Sequence, residues 1–272
     1  NNGSFNRVSH CVFKTKGGGG PRFAVIDQQG RSSYTTSPNR NIFTNNRIQN
    51  FYSGAFLLRN VNGEVIENNK IDRMDAKSTD AVDSSIVLFQ LQGVRNGVLP
   101  TQIKGNLCEN IPYSGTYTAA NSELVRFTGI KLANANGNDS VYLQIQDNHF
   151  RNIRTKEEFN GITSTKNQCF TIKGNRWEQI YSDKRTSFGI SANSSKDFEI
   201  VNNRFFNTVF SASSKDYVYF IYMNENSHSK GKRNLINDNV IDSNESFFMA
   251  GIWIYGACDY YIKRNQIINN KI

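Results

Sequence analysis

Eight short segments of the chain repeat one pattern, and that repetition constrains the fold more than any other feature. They read IFTNNRIQN (Ile42–Asn50), VIENNKIDR (Val65–Arg73), QIKGNLCEN (Gln102–Asn110) and QIQDNHFRN (Gln144–Asn152). TIKGNRWEQ (Thr171–Gln179), EIVNNRFFN (Glu199–Asn207), LINDNVIDS (Leu235–Ser243) and YIKRNQIIN (Tyr261–Asn269) complete the set. Each has an apolar residue, then a recurring Asn, a variable residue, and usually a second apolar residue. The Asn falls at 46, 69, 106, 148, 175, 203, 239 and 265, with spacings between 23 and 42 residues. Upstream of most copies lies a short alternating run: AFLL (Ala55–Leu58), GIKL (Gly129–Leu132), GISA (Gly189–Ala192), FIYM (Phe220–Met223) and GIWI (Gly251–Ile254). Such alternation is the signature of a strand with one face inward.

A unit of two or three short strands cannot bury its own apolar face, whereas stacked units share one continuous core. The pattern therefore predicts an all-β parallel solenoid of eight to nine coils, stacked at about 4.8 Å. Residues 1–272 form one such domain. The longer spacings mark insertions in the turns. The recurring Asn is expected at a turn, where it tolerates left-handed φ and bonds its amide to the Asn of the coils above and below. No segment carries the 3.6-residue periodicity of a helix of ten residues.

Composition removes several other classes. No apolar run approaches the length of a membrane span, and no signal peptide opens the chain. With 19 Phe and 12 Tyr there is ample material for a core, which argues against disorder. The formal charge of +9 favours polyanionic partners, but the basic residues are spread with no block of five or six, so a nucleic-acid arm is not indicated. Cys11, Cys108, Cys169 and Cys258 lie far apart without a CxxC pair. They offer no zinc spacing, and buried free thiols are expected. The tetraglycine Gly17–Gly20 precedes Pro21 rather than a Gly-Lys-Ser/Thr element, so it reads as a turn and not a phosphate cradle. No cofactor or metal is expected.

The combination of GI-x-I with I-xx-N-x-I, over nearly the whole chain, resembles the right-handed parallel β-helix superfamily of pectate-lyase-like proteins. Ser4–Lys16, SFNRVSHCVFKTK, resembles polysaccharide lyases of the chondroitinase B and alginate lyase type. The Lys-Ser-x-x-Asn and Leu-Arg-His-Gly segments of those lyases have no counterpart here. The abundant Asn and variable turns also resemble phage tailspike depolymerases, β-helix trimers that bind or cut cell-surface glycans. That resemblance implies a polysaccharide partner, a homotrimer, and a place on a virion tail surface or outside the cell. The chain ends lie close to repeats without an amphipathic helix to cover them. A section of a longer polypeptide, or sealing by another chain, is expected.

Families of this fold place their sites on a strand face and its bordering turns. Aligning the runs on Phe56, Ile130, Ile162, Ile190, Ile221 and Ile252 predicts an exterior row of Leu57, Lys131, Thr163, Ser191, Tyr222 and Trp253. Two residues further on come Arg59, Ala133, Thr165, Asn193, Asn224 and Tyr255. Tyr222, Trp253 and Tyr255 are candidates for stacking on sugar rings, with Arg59 and Lys131 for acidic groups. The same surface could equally pack on a neighbouring subunit or loop. Hydrolysis needs two carboxylates about 5 Å apart for retention or roughly 6.5–9.5 Å for inversion. Asp80, Asp83, Glu123, Glu157, Glu158 and Asp183 lie in turns before strands. Glu157, Glu158 and Asp183 rank first as catalytic candidates because their turns belong to consecutive coils, followed by Glu225. Lys131, Tyr222 or His228 could instead serve a lyase; His10 and His149 fall inside repeats and read as structural. The expected function is binding and cleavage of a surface polysaccharide, with hydrolysis preferred over β-elimination. A non-catalytic adhesin and a structural shaft are the alternatives.

Overall fold

The computed structural model describes residues 5–14, 24–29, 40–51, 53–73, 85–94, 99–111, 126–155, 158–182, 186–210, 217–246, 248–256 and 259–271. Three parallel sheets account for their secondary structure, and no helix occurs among them. Nine strands form the first sheet, from Arg7–Ser9 to Tyr260–Lys263. The second begins at Val12–Lys14 and ends at Gln266–Ile268, with Val209–Phe210 and Glu245–Ser246 as a short side strip. Ala24–Gln29, Gly54–Arg59, Ser85–Gln92, Arg126–Ala133, Glu158–Thr165, Ser187–Asn193, Val218–Asn224 and Met249–Tyr255 make up the third. Among the described residues the strands visit the three sheets in rotation, giving eight rounds of all three sheets and two strands of a ninth. This is a parallel β-helix solenoid.

The repeat segments supply the first two sheets and the bend between them. Phe43, Ile66, Ile103, Ile145, Ile172, Ile200 and Ile236 stand in register in the first sheet and point inward. Ile48, Ile71, Cys108, Phe150, Trp177, Phe205 and Ile241 do the same in the second. Identical register lets rings stack coil on coil. Phe150, Trp177 and Phe205 form one pile with centroids 5.7 and 4.5 Å apart, and Phe56 lies parallel to Phe89 at 5.4 Å. The third sheet makes room for that pile: a Cβ on Gly161 would lie 2.6 Å from the Trp177 indole nitrogen and would also collide with the Gly189 carbonyl.

Between the first two sheets runs the amide row. From Asn46 through Asn69, Asn106, Asn148, Asn175, Asn203 and Asn239 to Asn265, each Nδ2 donates to the next Oδ1 at 2.9–3.1 Å. Each Oδ1 also accepts the backbone N–H of the preceding Asn at 3.0–3.1 Å. The second Nδ2 proton goes to a first-sheet carbonyl one coil back, as from Asn148 to Ile103 at 2.9 Å. A buried carboxamide with all its bonds made is stabilising; one left short would be costly. The left-handed backbone sits one residue earlier than expected, on Asn45, Asn68, Gly105, Asp147, Gly174, Asn202, Asp238 and Arg264 (φ 54–67°). The reason is geometric: the bend needs φ > 0, while the ladder Asn needs a side chain directed inward along the stack. In the first coil Cys11 occupies the slot and contributes only its N–H, to Asn46 Oδ1 at 3.0 Å. Cys11 is accordingly exposed, which corrects the expectation of burial, whereas Cys108 and Cys169 are buried free thiols.

A different residue interrupts a second polar row. Asn6, Asn41, Glu64 and Thr101 occupy equivalent positions just before first-sheet strands. Glu64 is fully buried; Gln28 Nε2 donates to its Oε1 at 3.1 Å, and Oε2 has no hydrogen-bond partner among the described residues. Burial pushes its carboxyl up to about 8 despite hydrogen bonds from the backbone, Gln28 and Asn41.

Candidate functional site

The outer face of the third sheet carries the most distinctive chemistry. Strand pairing sets Leu57, Gln90, Lys131, Thr163, Ser191, Tyr222 and Trp253 side by side. Arg59, Gln92, Ala133, Thr165, Asn193, Asn224 and Tyr255 form the next row. The rows change character along the axis. Early coils carry charge and amides, middle coils carry hydroxyls, and the last coils carry rings. They are not uniformly open, for Leu57 and Ser191 are 8% and 4% exposed.

Tyr222 and Trp253 belong to one connected ring cluster, whereas Tyr255 makes no ring contact with it among the described residues. Tyr219 is its hub, touching Phe188 at 5.5 Å, Tyr217 at 5.9 Å, Tyr222 at 5.1 Å and Trp253 at 5.8 Å. Phe188 also meets Tyr222 at 5.2 Å, and Tyr217 meets Phe248 at 5.2 Å. Burial beneath its neighbours, together with the Tyr217 and Tyr222 phenols, raises the Tyr219 hydroxyl above the usual tyrosine range. Trp253 is nonetheless 48% exposed and Tyr255, two residues along, 61%. Phe188, Tyr217, Tyr219 and Phe248 were missed by the alternation reading, which counted outward positions only beyond the Ile190, Ile221 and Ile252 row. A break in alternation explains this. Phe220 and Ile221 are both buried, so Tyr219 faces outward three residues before Tyr222 instead of two or four.

The charged candidates are differently placed. Lys131 is exposed and has no ion pair among the described residues. Arg59 lies 3.5 Å from Asp27, which neutralises much of its appeal to an anion. Glu158 opens its strand opposite Arg126 at 3.4 Å and accepts a bond from Asn160 Nδ2 at 2.7 Å. Asp80, Asp83, Glu123, Glu157, Asp183, Cys258 and the tetraglycine lie outside the described residues. Glu225 is exposed on the bend after Asn224, where its N–H donates to the Tyr255 carbonyl at 3.0 Å. Amides and hydroxyls thus lie next to the aromatic cluster in the rows and Lys131 lies further along, while Glu158 and Glu225 flank the rows at strand ends.

Two other polar groupings are tied by their own contacts. On the second sheet, buried Glu109 receives Lys70 at 2.6 Å and Arg151 from the other side. Burial works to raise Glu109, but the bonds from Lys70 and Arg151 outweigh it and hold the carboxyl below its usual range. On the same sheet His149 pairs with Glu178 at 3.2 Å, while burial and Arg176 depress its pKa. Asp139, Cys169 and Asp197 bring one thiol and two carboxylates within 4.8 Å, a set that could hold a cation. Both carboxylates there are already engaged. Lys232 Nζ bonds Asp139 at 2.8 Å, and Ser229 bonds both oxygens of Asp197 at 2.7 and 2.5 Å. His228 is engaged nearby with the Ser229 carbonyl at 3.1 Å and Asp259 at 3.6 Å.

No family model matches the chain, and no curated protein or solved structure shows significant similarity to it.

Proposed function

We propose that this solenoid engages a polysaccharide along the outer face of its third sheet. The observation that carries the reading is the ring cluster around Tyr219, open at Trp253, with exposed Tyr255 two residues beyond and Asn193, Asn224, Thr163 and Thr165 along the same rows. A sugar ring has apolar C–H faces and a hydroxyl rim, and that surface offers both complements: aromatic faces for the first, amides and hydroxyls for the second. Lys131 stands four strand spacings from Trp253, or about 19 Å at 4.8 Å per coil. A glycan lying along the axis would reach it with an acidic substituent.

Binding is the better supported half of the reading, because Glu158 is occupied by Arg126 and Asn160. Cleavage by paired carboxylates is its catalytic form, with Glu157, Glu158 and Asp183 as the residues to test. A homotrimer on a virion tail surface is the setting proposed, supported by the tailspike-like repeat pattern.

The chain carries its own reporter. Of its two tryptophans, Trp177 is completely buried and Trp253 faces solvent, so a ligand on the cluster should perturb emission from Trp253 alone. Titration with a panel of acidic and neutral bacterial polysaccharides should give a saturable change. Tyr222→Ala should weaken binding about tenfold, since losing one stacked ring is worth about 1.4 kcal/mol. Reducing ends without absorbance near 232 nm in the same mixtures would identify hydrolysis, and both signals together a lyase. Affinity unaltered by Trp253→Ala and Tyr222→Ala would sink the reading.

A further inference from the structure

A second concave surface lies on the bend that follows the second sheet, and different residues build it. There the backbone turns left-handed at Gln179, Asn207, Ser243 and Asn269 (φ 50–55°). The strand then resumes, so that Tyr181, Val209 and Glu245 line up across coils and Lys271 bridges to Glu245. A cleft of about 340 Å³ opens on this bend, with Gln179, Asn207 and Asn269 along one side and Tyr181, Glu245 and Lys271 along the other. That is the lower end of the size range of small-molecule sites, roughly 300–1,000 Å³.

The hydrogen-bonding state of the amides separates this cleft from the rest of the same row. Earlier along the row, Asn152 Nδ2 donates to Asn110 Oδ1 at 2.6 Å, so those two amides are bonded to each other. Gln179 and Asn207 occupy the same position in later coils, yet neither side chain has a hydrogen-bond partner among the described residues. Each presents a free donor and a free acceptor to the cleft. Asn269 is committed to Asp242 at 3.1 Å, and Lys271 is paired with Glu245 at 3.1 Å. The lining therefore has two unengaged carboxamides, one half-open phenol ring, and charges that cancel.

We infer that this cleft is a binding site for a neutral sugar residue, separate from the aromatic cluster. A primary amide offers a donor and an acceptor side by side, which suits adjacent hydroxyls that can each give and take a hydrogen bond. The Tyr181 ring covers the apolar face of the same ring. Glu245 and Lys271 are spent on each other, so the polar groups left for a ligand are the uncharged amides, which suit a neutral partner. The unengaged amides gain bonds on binding without first breaking any within the protein.

Saturation-transfer NMR tests this, using methyl glycosides of glucose, galactose, mannose, rhamnose and N-acetylglucosamine at millimolar concentration, with glucuronate as the charged comparison. The variants are Gln179→Gly combined with Asn207→Gly, and Tyr181→Ala. Glycine removes the amides while keeping the left-handed backbone, so the solenoid should fold unchanged, as far-UV circular dichroism will show. At least one neutral glycoside is expected to show transfer that falls fivefold or more in both variants and is unchanged in Trp253→Ala. Side-chain amide resonances of Gln179 and Asn207 should shift with the same ligand. Three results would overturn the inference: no transfer to any neutral glycoside, transfer undiminished in the double glycine variant, or glucuronate preferred. Transfer lost in Trp253→Ala but kept in the double variant would reject the cleft and leave the aromatic face standing. The converse pattern would do the opposite.

Discussion

Removing one rung from the middle of the amide row should cost far more than removing the same group at its far end. In Asn148→Ala the Asn106 N–H and one Asn106 Nδ2 proton lose their acceptor, at 3.1 and 2.9 Å, and the Ile103 carbonyl loses a donor at 2.9 Å. Asn175 Oδ1 is spared, because the Asn148 backbone N–H still reaches it at 3.0 Å. Three buried polar groups are left short, each costing about 1–3 kcal/mol, and partial relaxation brings the expected total to roughly 3–6 kcal/mol. Asn265 makes the same kinds of contact, accepting from Asn239 at 3.0 and 2.9 Å and donating to Ile236 at 2.7 Å. It is only part-buried, so water replaces what alanine removes, and Asn265→Ala should cost about 1 kcal/mol. Urea unfolding followed by circular dichroism compares the variants. Because stacked repeats can unfold in parts, hydrogen exchange at the Asn106 amide gives the local value. A cost below about 1 kcal/mol for Asn148→Ala, or equal costs at the two sites, would refute the view that the row is a stability element.

Three further outcomes follow from other parts of the molecule. Folded Glu64 titrates near 8 against about 4.5 unfolded, so between those values the native state holds a proton that the unfolded chain releases. Its contribution is full below the lower value and is lost as pH rises, by at most about 1.4 kcal/mol per unit. Glu64→Gln should flatten that part of the profile, read as urea midpoints at pH 5.5, 6.5 and 7.5; parallel profiles would contradict the assignment. Gly161→Ala forces a Cβ against Trp177 and the Gly189 carbonyl, and should cost about 1–3 kcal/mol through overpacking; a thermal midpoint equal to wild type would show that the third sheet yields there. In native protein a thiol reagent should modify Cys11 rapidly and leave Cys108 untouched, since burial raises the Cys108 pKa well above that of a free thiol. Peptide mass spectrometry after brief labelling distinguishes the two sites, and comparable labelling of both would place Cys108 wrongly.

The parts of this fold that could be read from sequence are those where one coil must match the next. An Asn that bonds its own kind in both neighbouring coils has to recur at every turn of the solenoid, so Asn46 to Asn265 stood out despite spacings that vary almost twofold. Period-two alternation placed Tyr222 and Trp253 on one outer row for the same reason. Features set by a local departure were hidden. The adjacent buried pair Phe220 and Ile221 breaks alternation and conceals Tyr219 as the hub of the ring cluster. The shift of left-handed φ onto the residue before each ladder Asn involves Asn, Gly, Asp and once Arg264, so no single residue type announces it. Glu64 replaces an amide in a row of Asn and Thr and has no motif. Gln179 and Asn207 lie within the quoted repeats, but only three-dimensional neighbours reveal that their amides are unpaired while those of Asn110 and Asn152 are not.

The direction of the amide row has a consequence for assembly. Between rungs every bond runs one way, from an Nδ2 of the earlier coil to the Oδ1 of the later one, with no reversal from Asn46 to Asn265, while the second Nδ2 proton goes back to a carbonyl. Amide dipoles of about 3.5 D aligned in this way add along the axis, whereas the strands of a sheet leave little net dipole. The stack is therefore electrically polar, positive toward its later coils and negative toward its earlier ones. A coil offered in the reverse sense would set oxygen against oxygen or N–H against N–H. Only a segment presenting its amide in the same orientation can extend the row.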